Sequence, residues 1–188
     1  MMNCIHHESG LEIRMAAYYL NRAVIARGSG ASAIASAAYR HGAQMKNELT
    51  GDTRDYTGKA DEVVHKEIVL PADAPQWAID RYSGDDVTAA SEVLWNDIEV
   101  RENQHNYAAK SQLAQSFTIA LPRELSREQN IALLNEFVST YLVVDGSIAD
   151  VIIHDKGDDK PHAHVMTTLR DLSERGFDKR IQSYINRS

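Results

Sequence analysis

One cysteine, Cys4, is all that the 188-residue chain contains. An intrachain disulfide is therefore excluded, and the usage suits a reducing cytoplasm. No apolar run approaches the ~18–20 residues that a membrane-spanning helix needs. The first residues are polar and include His6 and His7, where a secretory signal would carry an apolar stretch. Positive charge is also scarce: 20 Lys and Arg stand against 27 Asp and Glu, a net charge of −7. That balance argues against a protein that coats nucleic acid without selectivity. No internal repeat or low-complexity segment is present. What remains, 43% hydrophobic and 25% charged residues, is the composition of an ordinary globular protein with chain enough for one core.

The charge is uneven. Between Met15 and Ala60, six cations (Arg22, Arg27, Arg40, Lys46, Arg54 and Lys59) face three acids, while Asp73 to Glu102 carries eight acids against Arg81 and Arg101. An acidic chain with one basic face can still meet a phosphate backbone there. Residues 1–14 extend no pattern and read as a leader. Met15 to Leu20 reads as the first strand, and Arg27-Gly28-Ser29-Gly30 as a turn. The alanine-rich run Ala31–Met45 predicts a helix, weakened near its end by Gly42. Ser32, Ala35, Ser36, Tyr39 and Ala43 share one face of it by spacing, and Tyr39 is the one large side chain there. Such a tyrosine is either packed against another element or presented to something that must come close.

Residues 47–61 read as a loop or short hairpin turning at Thr50-Gly51-Asp52. Val63–Leu70 reads as a strand stopped by Pro71, with His65 and Glu67 on one face. A connection with a helical turn around Trp77 follows. Asp85 to Gln104 reads as a helix with Val87, Ala90, Leu94 and Ile98 inward and its acids on a solvated face. Ala114–Leu121 reads as a strand. Ser126 and Gln129 have the capping-box form, opening a helix with Ile131, Leu134, Phe137 or Val138, and Tyr141 inward. The element order suits an α+β fold, helices packed on an antiparallel or mixed sheet.

The densest chemistry lies in Ile152–Met166. It reads as strand, polar turn and strand. His154 ends the first arm, and His162 and His164 open the second. Side chains alternate along a strand, so His162 and His164 point the same way, and the turn around Gly157 and Pro161 brings His154 level with them. Three imidazoles on one sheet face can form a metal site with open positions. After Arg170 the remaining residues read as a polar tail.

With Tyr39 and the histidines together, the chain resembles the relaxase (nicking) domain of the MobA/MobL–TraA type, a plasmid-mobilisation branch of the HUH endonucleases. The resemblance runs over about residues 15–170. It is carried by Met15–Leu20, Arg27–Ser32, Ala37-Ala38-Tyr39-Arg40, Asp55-Tyr56-Thr57, His65–Pro71, Ala120–Leu125, and His154 with Pro161-His162-Ala163-His164. The tyrosine precedes the histidines, the order of relaxases. The resemblance implies a single domain over residues 15–188 that is truncated at its C-terminus, since TraA proteins continue into a helicase part. It implies Tyr39 as nucleophile and His154, His162 and His164 as ligands of one Mg²⁺ or Mn²⁺. Arg27, Arg40, His41, Lys46 and Arg54 are the DNA-contact candidates. Where family members often carry an acidic or Arg residue before the Leu-Pro, this chain has Gln115-Ser116.

The implied activity is site- and strand-specific nicking of a plasmid transfer origin in the cytoplasm. The implied partners are single-stranded DNA, relaxosome accessory proteins and a type IV coupling protein. Attack by tyrosine yields a 5′-phosphotyrosine and a free 3′ hydroxyl, so the bond can be resealed without ATP. Phenols titrate near ~10, so only about one in a thousand is ionised near neutrality, and a neighbouring cation should help. Two other readings stay open: an origin-binding module of the same fold that does not cut, and a metal-dependent phosphoesterase that uses water.

Overall fold

The computed structural model describes residues 19–104, 108–158 and 160–181. Residues 1–14, the start of the expected first strand at Met15–Tyr18, and the end of the tail at 182–188 lie outside them. Strand β1 runs Leu20–Ala26, further along the chain than the Met15–Leu20 expectation. Helix α1, Ala33–His41, is shorter than expected at both ends. Ser32 caps it, its hydroxyl accepting from the Ala35 N–H at 3.3 Å. Gly42 terminates it by taking a left-handed φ of 56°. The residues beyond are thereby released to pair as the hairpin β2 (Gln44–Lys46) and β3 (Thr53–Asp55).

A 3₁₀ turn, Thr57–Glu62, leads into β4 (Val63–Val69). Next come α2 (Gln76–Tyr82) and the long α3 (Val87–Asn103). Asp86 caps α3 through the Thr88 and Ala89 N–H groups. Strand β5 spans Gln112–Ala120, and α4 spans Arg127–Phe137 with the Ser126–Gln129 capping box formed. The histidine arms are β6 (Ala149–His154) and β7 (His162–Thr167). The segment read as a polar tail instead opens with a further hairpin, β8 (Arg170–Ser173) and β9 (Gly176–Arg180). Leu172 and Phe177 pack on the core from it.

The main sheet is antiparallel throughout, in the order β1-β5-β7-β6-β4. One face is covered by α1, α2 and α3 over Ile34, Leu94, Trp95, Ile98 and Met166. The other is covered by α4 over Phe117, Leu134, Val138, Val151 and Val165. The α+β expectation therefore resolves into three layers.

One inward and one outward assignment change. Tyr141 is 63% exposed. The chain beyond α4 makes a π turn over Val138–Leu142, with the Val143 N–H reaching the Val138 carbonyl at 3.1 Å. The extra residue per turn rotates Tyr141 outward and brings Leu142 in. On α3 the acids are not all solvated. Glu99 and Glu102 are each 2% exposed. Glu99 holds Arg27 and also accepts from the Ala33 N–H at 2.9 Å, whereas Glu102 pairs with Arg170 and Arg180.

At the centre of the helical face Asp150 of β6 is fully buried. Its carboxylate accepts from Ser91 Oγ at 2.6 Å and Trp95 Nε1 at 2.8 Å on α3, and lies 2.9 Å from His41 Nε2 on α1. Burial alone would raise its pKa; the His41 imidazole and the Ser91 and Trp95 donors outweigh that and hold it below the usual carboxylate range. Replacement Asp150→Ala would strand three buried polar groups. Urea denaturation should show a loss of about 3–5 kcal/mol.

Candidate active site

The register of β6 and β7 sets His154 directly opposite His162. His164 lies two residues further along β7, on the same face, level with Ile152 and with Thr118 of β5. The ring centroids are 5.5, 4.9 and 5.0 Å apart. One nitrogen from each ring lies within 4.8 Å of the other two, so the group could hold a metal ion. The remaining nitrogens are engaged by oxygens. His154 Nε2 donates to the Arg40 carbonyl at 2.6 Å, His162 Nδ1 to the Lys160 carbonyl at 3.1 Å, and His164 Nδ1 meets the Thr118 hydroxyl at 3.3 Å. Such outer contacts fix ring orientation and tautomer. They leave Nδ1 of His154 and Nε2 of His162 and His164 for an ion, and this neutral nitrogen donor set fits a divalent transition metal.

The end of helix α1, which carries Tyr39, meets this cluster. The Arg40 carbonyl that receives His154 belongs to the next residue, so the C-terminal turn of α1 is bonded to the histidine cluster. Tyr39 is 41% exposed. Its ring meets Tyr56 edge-on, with centroids 5.4 Å apart, and Lys59 Nζ stands 4.6 Å from its centroid. Lys59 in turn lies 3.7 Å from Glu62, whose carboxylate is 3.2 Å from Lys156 and 4.0 Å from His154 Nδ1. The Glu62 pKa is lowered, first by the Lys156 hydrogen bond.

The five basic candidates divide. Arg40 extends toward the centre, Nη2 donating to Ser116 Oγ at 2.8 Å and Nη1 to the Ser36 carbonyl. The Gln115-Ser116 departure thus receives its guanidinium from α1. Burial lowers the Arg40 pKa, with Asp150 opposing. Lys46 and Arg54 are exposed on the β2–β3 hairpin. The other two are used inside the fold. His41 is fully buried on Asp150, and Arg27 binds the Glu99 side chain and backbone and the Ala108 carbonyl. Neither side chain of this pair stands on the exposed basic rim of the hairpin. Their charges and donors satisfy buried acids.

Lys59, Glu62, Ser116, Thr118 and Lys156 are neighbours of this cluster that sequence reading misses. Each is an ordinary polar residue in a turn or strand, and only the register of distant elements assembles them.

The MobA/MobL family matches the chain over residues 31–187. A conjugal transfer protein TraA of Rhizobium radiobacter is 45% identical over 163 residues, which is 87% of this chain and 14% of that protein. A probable mobilization protein MobA of Bifidobacterium longum (strain NCC 2705) is 30% identical over 162 residues, 86% of this chain and 26% of its own length. The chain thus spans a small part of these relatives. A solved structure described as the molecular basis of vancomycin resistance transfer in Staphylococcus aureus is 31% identical. Its TM-score is 0.71, over 86% of this chain and 75% of that one.

Two of the imidazoles have lowered pKa values. Burial, then the Arg40 charge and the other two histidines, push His164 down to about 3. Burial likewise lowers His154, opposed by the Arg40 carbonyl. An imidazole whose pKa falls on folding binds its proton better in the unfolded chain. Stability is then full above the ordinary value of 6.5 and is lost as pH falls toward 3. In EDTA, the melting temperature should drop between about pH 7 and 5, and His164→Asn should make that drop smaller.

Proposed function

The chain belongs to the MobA/MobL family, and from that premise we propose that it is the nicking domain of a DNA relaxase acting at a plasmid transfer origin. The observation that carries this reading is the 2.6 Å bond from His154 to the Arg40 carbonyl, which fastens the Tyr39 helix to the histidine cluster. Tyr39 Oη attacks the scissile phosphorus in line, the P–O3′ bond breaks, and the products are a 5′-phosphotyrosine and a free 3′ hydroxyl. Resealing is the reverse attack by that hydroxyl.

His154, His162 and His164 would hold one divalent ion, Mg²⁺ or Mn²⁺, which would supply positive charge against the phosphate. Three nitrogen ligands favour Mn²⁺ over Mg²⁺ by affinity. Arg40 adds a fixed guanidinium beside the histidines and favours an anionic ligand there. Lys46 and Arg54 form an exposed basic rim for the single strand leading away.

Support for a nucleophile comes from exposure. Tyr39 is accessible at the end of a helix whose other side is core, rather than filling that core. The proposed reaction is cytoplasmic, with relaxosome accessory proteins and a type IV coupling protein as its partners.

Incubation with 3′-labelled oligonucleotides tiling the cognate transfer origin, in Mn²⁺, followed by a denaturing SDS gel, tests the reading. The unaltered chain should carry the label covalently, and Tyr39→Phe should abolish the adduct while retaining DNA binding by gel shift. Cleavage without any adduct would instead favour a water-using phosphoesterase. Binding without cleavage by the unaltered chain would favour an origin-binding module.

A further inference from the structure

We infer that Lys59 is a second catalytic residue of this site, its ammonium stabilising the negative charge that develops on Tyr39 Oη during attack and again when the bond is resealed. The inference rests on Tyr39 being the nucleophile, as proposed above.

A lysine beside an aromatic ring is common on protein surfaces; here the backbone is built to put it there. Lys59 sits in the 3₁₀ turn Thr57–Glu62, which is laid against the end of α1. A Cβ at Gly42 would lie 2.8 Å from the Lys59 carbonyl carbon and 2.8 Å from the Ala60 nitrogen and Cα. Real Cβ atoms do not tolerate such contacts with backbone, so the approach requires glycine. The same Gly42 has the positive φ that ends the helix three residues after Tyr39. The Tyr56 N–H donates to the Ala43 carbonyl at 3.1 Å, and the Lys59 N–H donates to the Tyr56 carbonyl at 2.9 Å. Tyr39 is thus flanked by the Tyr56 ring edge-on and by the Lys59 ammonium.

Lys59 is also kept charged. Its pKa is raised, first by the adjacent Tyr39 phenol and, after an opposing effect of burial, by Glu62. In the forward step the P–Oη bond forms and the P–O3′ bond breaks. The phenol proton passes to solvent water, and the 3′ oxygen takes a proton from solvent. Lys59 retains its protons throughout and acts only by charge. Such an interaction strengthens as charge develops, so its removal falls on kcat rather than on KM.

The test compares Lys59→Met, Lys59→Arg and Tyr39→Phe in this chain. It uses the 3′-labelled origin oligonucleotide in Mn²⁺ for kcat and KM, and fluorescence anisotropy in EDTA for DNA affinity without metal. Lys59→Met should lower kcat about 10²-fold, with KM and the metal-free Kd changed by no more than about twofold. Lys59→Arg should restore most of the rate, and the melting temperatures should coincide. A loss confined to KM and Kd would overturn the inference and make Lys59 a phosphate contact. Full-rate nicking by Lys59→Met, with Tyr39→Phe inactive, would overturn it while leaving Tyr39 as nucleophile. An adduct formed by Tyr39→Phe would overturn the nucleophile and this inference together.

Discussion

A single buried carboxylate fixes the geometry on which the site depends. Asp150 has no exposure, yet it receives donors from both α1 and α3 and belongs to the strand that ends in His154. Its partner on α1, His41, lies two residues from Tyr39. One ionic node therefore sets the depth and rotation of the tyrosine helix relative to the histidine strand. A buried charge is tolerated only when its oxygens are satisfied, and here they are satisfied by elements that must arrive together. The apolar contacts of Ile34, Trp95 and Met166 supply cohesion around it, but they would accept small slips that Asp150 does not.

The histidine hairpin was legible because its signal is local. Alternation within β7 and the turn before Pro161 put His162 and His164 on one face, and the observed pairing puts His154 opposite His162. Capping at Ser126 was legible for the same reason, whereas the helix expected to run to Met45 stops at Gly42. What sequence reading missed depends on distant partners. Helix α3 looks like an amphipathic helix with a wet acidic face, but Arg27, Arg170 and Arg180 arrive from far along the chain to bury Glu99 and Glu102. Tyr141 was misplaced by one π turn, which shifts phase without leaving a mark in the hydrophobic pattern. His41 and Arg27 illustrate the reverse case. Their charge suggests DNA from the sequence, and the fold pairs it with the buried Glu99 and Asp150.

Electrostatically the site departs from the chain as a whole. The protein carries a net charge of −7, yet Arg40, Lys59 and Lys156 gather around three imidazoles, with Glu62 as the acid that pairs with two of them. Several acids elsewhere are matched within the fold, as at Glu99, Glu102 and Asp150. An overall negative charge is therefore compatible with a locally cationic cleft, because the field at a phosphate is set by charges within about a Debye length, roughly 10 Å.

The last turn of an α-helix leaves carbonyls that no further N–H can reach. In α1 the Ala38 and Tyr39 carbonyls are taken by backbone beyond the helix, while the Arg40 carbonyl is taken by His154. The leftover acceptor, at the negative pole of the helix dipole, pulls proton density toward Nε2 and leaves Nδ1 the richer electron donor. The strength of a metal ligand is in this way coupled to the winding of a helix. Changes that fray the end of α1 will soften the imidazole's grip even when they touch no part of the centre, and an ion drawn to that ring will in return tighten the helix.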